Sequence, residues 1–165
     1  MAIEAVRAYL SQYGREDDVM EKELSSATVE LAAQAVGVEA ARIAKTLAFY
    51  GEDGQAVLIA CAGDAKIDNR QFKEQFGHKA RMLAGEDVER LTGHAPGGVC
   101  PFANPPGTDV YLDESLRRFA TVFPACGSSH SMIELTCDDF YVYAQAKAWI
   151  DVCKGWRTAE EPAHA

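Results

Sequence analysis

Apolar residues recur at helical spacing in several parts of the chain. Ile3, Val6 and Leu10 lie three and four residues apart, which predicts an amphipathic helix over residues 2–13. Further helices are predicted where a capping residue precedes the pattern or a glycine follows it: 27–36 with Ser26 as N-cap and Gly37 as its stop, a short helix capped by Asp68 and Gln71 that ends before Gly77, 86–91 before Gly93, and a last helix from near Asp138.

Apolar runs bounded by turn residues predict the strands. Residues 43–50 and 55–62 are separated by Gly51-Glu52-Asp53-Gly54, a turn composition that suits an antiparallel hairpin. Shorter strands are predicted at 80–84, 109–112, 121–125 and 131–135, with a short helix begun by Asp113. Together these elements predict a mixed α and β (α+β) domain with a largely antiparallel, strongly curved sheet of open strand order.

The size of the chain limits its organisation. With 165 residues, 48% of them hydrophobic, it can bury one core, so we expect a single domain over residues 1–155 and a short polar tail over 156–165. No apolar run approaches the roughly 20 residues that cross a bilayer, and the N-terminus carries acidic residues where a secretory signal is basic. We therefore expect a cytoplasmic protein with no membrane partner.

Cysteines and histidines suggest no cofactor. The five cysteines are scattered and form no CxxC pair, which favours reduced, mostly buried thiols over disulfides or zinc ligation. His78, His94 and His130 do not fall at metal-ligand spacing, and no phosphate-binding or dinucleotide-binding motif is present. We expect neither a metal nor a cofactor.

The net charge restricts contact with nucleic acid. A formal charge of −9 argues against a protein that grips a long nucleic acid such as DNA, because phosphate contacts require many lysines and arginines. The segment 66–81 is the exception, since it holds five basic and two acidic side chains. This segment is either a solvated helix face or a local surface that steers a nucleic acid.

Lys45 is the first candidate functional residue. Strand alternation puts it on the same face as Ile43, Leu47 and Phe49, among large apolar side chains. Either its stem snorkels at a sheet edge, or its ammonium projects into a pocket and neutralises a phosphate or carboxylate of a ligand.

The loop Gly97-Gly98-Val99-Cys100-Pro101 is the second candidate. Two glycines let the backbone approach a ligand, and prolines limit the movement of the loop, so it is either a plain turn or an oxyanion hole. Cys100 has no activator next to it in sequence and is expected to line a pocket. His130, between two predicted strands, is either a surface residue or a pocket residue.

These pieces, in this order, resemble one known family, the YbaK family, which includes the editing insertion domain of bacterial prolyl-tRNA synthetase and its free-standing relatives. The resemblance covers roughly residues 25–150 and rests on several ordered motifs: Ile43-Ala44-Lys45-Thr46-Leu47, Thr92-Gly93-His94 running into Gly97-Gly98-Val99-Cys100-Pro101, Val110-Tyr111-Leu112-Asp113, Ala125-Cys126-Gly127 and Ile133-Glu134-Leu135.

The resemblance implies a fold and a set of site residues. The fold is a six- or seven-stranded mixed sheet curled into a partly open barrel with helices around it. Lys45 matches the hallmark lysine of the family, and the loop matches the one that holds the substrate carbonyl. The implied residues are, for catalysis, Lys45, Gly97, Gly98, Val99 and Cys100, and, for substrate binding, Lys45, Thr46, Gly97, Pro101 and His130. Relatives often have serine or threonine at the position of Cys100. This departure bears on which amino acid the protein would remove and not on the type of reaction.

The implied activity is trans-editing. The protein would deacylate mischarged tRNA, removing a small amino acid from tRNA-Pro or a related tRNA, with the 3′ acceptor end as ligand and an aminoacyl-tRNA synthetase as a further partner. Backbone N–H groups of residues 98–100 would stabilise the oxyanion while Lys45 anchors the terminal phosphate. Alanine, cysteine, serine and 2-aminobutyrate remain open as the amino acid, and a non-catalytic binding module and a small-molecule amidase or esterase remain as alternatives.

Overall fold

The computed structural model describes residues 2–23 and 28–157, over which the chain forms five α-helices and ten strands. In chain order these are α1 (Ala2–Ser11), β1 (Met20–Glu21), α2 (Val29–Val36), β2 (Ile43–Tyr50), β3 (Ala56–Ala62), β4 (Lys66–Ile67), α3 (Asn69–Phe76), α4 (Gly85–Thr92), β5 (Asp109–Asp113), β6 (Thr121–Pro124), β7 (Ser131–Met132), β8 (Leu135–Thr136), α5 (Cys137–Tyr143), β9 (Trp149–Ile150) and β10 (Cys153–Lys154). Short 3₁₀ turns lie at Glu16–Asp18, Ala40–Arg42 and Glu114–Arg118.

Six strands form one curled sheet in the order β8-β6-β2-β3-β5-β9. The predicted hairpin is confirmed, with β2 and β3 antiparallel from Ala44 opposite Ala62 to Tyr50 opposite Ala56. The predicted mixed α and β fold around a six-stranded, curled sheet is confirmed. The pairing in this sheet is mixed: β2–β3 and β6–β8 are antiparallel, whereas β2–β6, β3–β5 and β5–β9 are parallel. The segments that join these partners are long, and only a tight turn forces neighbouring strands to run in opposite directions.

Two of the predicted strands differ in the structure. The segment 80–84 makes only a single bridge, between Met82 and Phe49, instead of a strand. The predicted strand 131–135 divides into β7, which pairs with β1, and β8, which pairs with β6. Strands β4 and β10 form a second two-stranded sheet that the sequence analysis did not predict.

The helix ends follow the predicted capping chemistry at most positions. Helix α2 begins at Val29, where the Thr28 side chain accepts a hydrogen bond from the backbone N–H of Leu31, and the predicted start at Ser26 and Ala27 lies outside the described residues. Asp68 caps α3 by accepting from the Gln71 N–H at 3.0 Å, but the Gln71 side chain bonds Asp151 instead of completing a capping box. Among the described helices, none combines the length and the apolar character that a bilayer crossing requires.

Two clusters of buried side chains hold the elements together. The larger lies on both sides of β3, which is buried along its whole length, and it continues to Trp156, so packing extends beyond the residue 155 boundary expected from the sequence. The smaller joins α2 to the sheet through Ala32, Ile43, Phe123 and Met132. The space between this second cluster and the rest of β2 is where the site lies.

Candidate active site

A cavity of about 320 Å³ opens beside the middle of β2. Its walls come from α2 and its N-cap, from residues 43–47 of β2, from the loop residues Gly97 and Val99, and from the ends of β6 and β7. Lys45 is the only charged residue among the described residues that line it. The remaining lining is largely apolar, as is usual for a small-molecule site with a few placed polar groups.

Lys45 lies on the wall that β2 provides. Its side chain is half-buried, and it forms neither an ion pair nor a hydrogen bond with any residue that the structure describes. Of the two interpretations left open by the sequence, the cavity position agrees with an ammonium that faces a ligand. A half-buried cation without a partner is a favourable place for an anion, because a charge-assisted hydrogen bond is stronger than a neutral one.

Thr46 also lines the cavity, but strand alternation turns its side chain to the face of β2 opposite Lys45. Its hydroxyl oxygen is buried and has no partner among the described residues. Strand β6 pairs with β2 only at Ile43 and Ala44, and the backbone of Leu83 next reaches β2 at Ala48, so the edge of β2 between them is open at Thr46. Since Ala48 directs its carbonyl oxygen to this outer edge, alternation directs the Thr46 backbone there too.

The two glycines of the loop are needed for different reasons. Gly97 has φ +89°, a conformation that disfavours other residues, and a methyl group there would meet open space. Gly98 is needed for close approach, because a Cβ atom on it would lie 3.0 Å from Ser128 Cα and 3.1 Å from the Gly127 carbonyl oxygen. The loop therefore packs its backbone directly on the turn at Gly127 and Ser128.

The N–H groups of the loop are not equally available. Gly98 N–H donates to the Ala95 carbonyl oxygen at 3.0 Å, so it is already used within the turn. This bond competes with the expected role of the Gly98 N–H in binding an oxyanion. The N–H groups of Val99 and Cys100 donate to no atom of the described residues. Val99 lines the cavity, whereas Cys100 is fully buried outside it, so the Val99 N–H is the better candidate for binding a ligand oxygen.

Two side chains behind the loop hold its ends together. His94 is 1% exposed and its Nε2 donates to the Phe102 carbonyl oxygen at 2.7 Å, while the Asn104 amide donates to the carbonyl oxygens of Thr92 at 2.7 Å and Cys100 at 3.1 Å. We call His94 and Asn104 the loop clamp. Sequence reasoning missed this role, although polar residues at both ends of a Gly/Pro-rich segment were a usable signal.

His94 is held in its neutral form. Burial lowers the pKa of its imidazole, partly offset by the bond to Phe102, which favours the protonated ring. With Nε2–H donating, Nδ1 is left buried without a partner among the described residues. Protonation would place a charge on that isolated nitrogen.

Cys100 does not line the cavity, contrary to the expectation from the sequence. It is fully buried, with Sγ 3.4 Å from His94 Nε2 and 3.8 Å from the Phe102 carbonyl oxygen. Burial raises the pKa of the thiol to about 12, so it stays protonated at neutral pH. The Cys100 and His94 pair therefore packs the loop and does not form a nucleophile and base.

Pro101 and His130 lie apart from this cavity. Pro101 borders a second cavity, behind the loop, that also touches Tyr9 and Gln145. His130 is exposed and its ring bonds the Ser129 hydroxyl at 3.0 Å, whereas the next residue, Ser131, lines the cavity. The polypeptide changes direction at this turn, and that direction decides which neighbouring side chain enters the site.

The structure thus brings together four of the predicted site residues and adds others. Lys45, Thr46, Gly97 and Val99 line one cavity, as the resemblance implied for a common site. The apolar walls that sequence reasoning did not identify are Val29, Ala32, Phe123 and Met132. Apolar residues on a helix and a strand carry no pattern that separates a cavity wall from ordinary core. Within the described parts of the chain, no three histidine, cysteine or acidic side chains gather in a way that could hold a metal ion.

Comparison with known proteins identifies the family. A family model for the aminoacyl-tRNA editing domain matches residues 24–141. Bacillus subtilis (strain 168) "Uncharacterized protein YwhH" is 54% identical over 156 residues, which cover 94% of this chain and 99% of that protein. Enterococcus faecalis "Putative Cys-tRNA(Pro)/Cys-tRNA(Cys) deacylase EbsC" is 28% identical over 109 residues, 66% of each chain. A crystal structure of "a putative trans-editing enzyme for prolyl tRNA synthetase" superposes with a TM-score of 0.83 at 32% identity, over 93% of this chain and 98% of that one. The chain belongs to the aminoacyl-tRNA editing domain family.

Proposed function

We propose that the protein is a cytoplasmic trans-editing hydrolase that removes a small amino acid from mischarged tRNA-Pro or a related tRNA. The observation that carries this proposal is that Lys45 and the loop residues Gly97 and Val99 line the same cavity. Membership of the editing-domain family and the likeness to a deacylase and to a trans-editing enzyme support the same reaction.

The reaction needs few groups from the protein. Water adds to the ester carbonyl carbon, the resulting oxyanion collapses, the bond to the ribose oxygen breaks, and the ribose hydroxyl regains a proton as the free amino acid leaves. Lys45 binds the phosphate of the terminal nucleotide, and the N–H group of Val99 binds the oxyanion. An activated ester held in this way requires no protein nucleophile, consistent with the protonated thiol of Cys100.

The cavity walls set the size of the amino acid. A volume of about 320 Å³ is at the lower end of ligand pockets, and Val29, Ala32 and Met132 narrow its apolar part. When the terminal ribose and its ester share this volume, the remaining space suits the side chains of alanine, cysteine, serine or 2-aminobutyrate. This is the second sieve of double-sieve editing, which removes small amino acids that a synthetase cannot reject by binding alone.

A deacylation assay tests this proposal. Wild-type protein is incubated with a panel of mischarged tRNAs, with prolyl, cysteinyl and alanyl acceptors first, and release of labelled amino acid is followed. Lys45→Ala is expected to lose about 100-fold or more in kcat/KM while its thermal midpoint stays the same, because a charge-assisted bond to substrate is lost. Lys147→Ala, which removes an exposed lysine paired with Asp109, is the control and should keep full activity.

Two results would contradict the proposal. Undiminished turnover by Lys45→Ala would remove the assigned role of the lysine. Tight binding of acylated tRNA with no turnover of any member of the panel would instead establish a non-catalytic binding module.

A further inference from the structure

The basic residues of the described chain divide into two groups. Every described arginine except Arg81 forms an ion pair with a carboxylate, whereas Lys147 is the only described lysine that does. Most of the remaining basic residues are exposed. They lie on β4, on α3, in the segment after α3, and on β10, which pairs with β4: Lys66, Lys73, Lys79, Arg81 and Lys154. We call these five residues the basic strip.

The acidic residues near the basic strip are already engaged. Asp64 pairs with Arg118 at 2.6 Å, Glu74 with Arg70 at 3.5 Å, and Asp151 with Arg157 at 2.7 Å. A hydrogen bond from the Gln71 backbone N–H, and secondly the charge of Lys154, lower the pKa of Asp68, which caps α3. The nearby carboxylates are therefore paired with arginines or used in the helix cap, and the lysines of the strip remain exposed to solvent.

Two lysines of the strip face each other. Lys66 on β4 is directly opposite Lys154 on β10 in the antiparallel register. Opposed residues in such a pair have Cβ atoms about 4.5–5.5 Å apart, and like charges at this distance are unfavourable. An anion between the two ammonium groups would remove that repulsion.

Part of the basic strip lies on segments that pack against β2, the strand that lines the cavity. Helix α3 packs on the sheet through Phe72, whose ring lies 5.0 Å from that of Phe49 on β2. Phe49 is four residues from Lys45 on the same face, about 13 Å along the strand at 3.3 Å per residue. Beyond α3 the chain runs along the outer edge of β2, where the Arg81 carbonyl oxygen accepts from Tyr50 N–H and the Arg81 guanidinium lies 4.7 Å above the Tyr50 ring.

We infer that the basic strip binds the sugar–phosphate backbone of the tRNA acceptor stem while the acylated end occupies the cavity. This inference rests on the proposed function. A protein of net charge −9 repels tRNA over most of its surface, so a local cationic track leading to the cavity both attracts the substrate and orients it. The strip contacts phosphate and not the ester, so it contributes to KM and its salt dependence, not to the chemical step.

The test compares a strip variant with a matched control on two substrates. The strip variant is Lys73→Gln/Lys79→Gln, and the control is Lys22→Gln/Lys147→Gln, which removes the same charge elsewhere. Each is assayed on full-length mischarged tRNA and on the corresponding aminoacylated CCA trinucleotide, which is too short to reach the strip. The strip variant should raise KM for full-length tRNA about tenfold and flatten the slope of log KM against log salt by about 2, one for each phosphate contact.

The values of kcat and the rates of trinucleotide hydrolysis test the inference further. Unchanged kcat and unchanged trinucleotide hydrolysis in the strip variant support the inference. A KM increase of equal size in the control, or an equal loss on the trinucleotide, would overturn it, since the effect would then be general or structural.

Fluorescence anisotropy with uncharged tRNA separates this inference from the proposed function. If wild-type protein hydrolyses no substrate, the proposed function fails, yet weaker tRNA binding by the strip variant than by the control would still support the strip. Unchanged tRNA affinity together with lost binding to a synthetase would overturn the inference and assign the strip to an acidic protein surface.

Discussion

The two walls of the cavity are built in opposite ways. One wall is β2, a regular strand that is hydrogen-bonded to β3 along its length and presents the Lys45 side chain. The other wall is an irregular loop that presents backbone at Gly97 and Val99, while the side chain of Cys100 points away into the core. Charge comes from the first wall and N–H groups from the second.

This difference decides how each wall tolerates substitution. A side chain on β2 can be changed without moving the strand, because the ladder of backbone hydrogen bonds is independent of it. The loop has no such ladder, and its shape depends on the close contact at Gly98 and on the loop clamp of His94 and Asn104. Changes on the loop wall should therefore alter activity and stability together, and changes on the strand wall should alter activity alone.

Within the loop wall, the largest effect is expected from Gly98→Ala. Its methyl group would lie 3.0 Å from Ser128 Cα, so the two backbones must separate slightly. Because a misplacement of about 1 Å can cost about 100-fold, this smaller shift should lower kcat about tenfold. Deacylation kinetics and thermal unfolding measure both expected losses. Gly107→Ala, which strains a glycine of positive φ away from the cavity, should lower the midpoint but leave kcat unchanged. Equal kcat losses in the two variants would remove the special role of Gly98.

Thr46→Val should have a smaller effect on activity than Gly98→Ala and an effect of opposite sign on stability. Replacing a buried, unpartnered hydroxyl with a methyl group should raise the free energy of unfolding by about 1 kcal/mol. Because that hydroxyl is buried on the face of β2 opposite Lys45, kcat/KM should change by less than about twofold, well below the loss of one hydrogen bond to substrate. Thr46→Ser keeps the hydroxyl and should keep the activity. Lower stability in Thr46→Val would mean that the hydroxyl has a protein partner.

The smallest effect is expected from the protonation of His94. Its pKa is lower in the folded protein than the ordinary 6.5, so below pH 6.5 the unfolded chain takes up the proton more readily and the folded state loses stability as pH falls. Above that pH both states are neutral and the residue contributes no pH dependence. Urea denaturation of wild type and His94→Gln across this range measures the difference. An identical pH dependence in both would show that His94 does not titrate in this window.

Sequence reasoning located the parts of the site better than their orientation. Lys45 and Thr46 fall on a strand whose bounds, 43–50, agree with the prediction, since alternation and the turn after Tyr50 are local signals. In the loop, the glycines were recognised, but the N–H of Gly98 is bonded to Ala95 and Pro101 borders a different cavity. Those outcomes depend on how the loop packs against residues far away in the chain.

Local residue patterns were enough to predict the elements whose signals lie within a few residues: the β2–β3 hairpin, the Asp68 cap and the glycine ends at Gly37, Gly77 and Gly93. Other features became known from the packing of the folded chain: three strand pairs run parallel, α2 closes the cavity over β2, and Ser131 lines the site while His130 is exposed. Hydrogen bonds within a turn or cap form between near neighbours, so local residue types specify them. Strand partners and cavity walls are selected by the burial of distant surfaces against one another, which no short segment encodes.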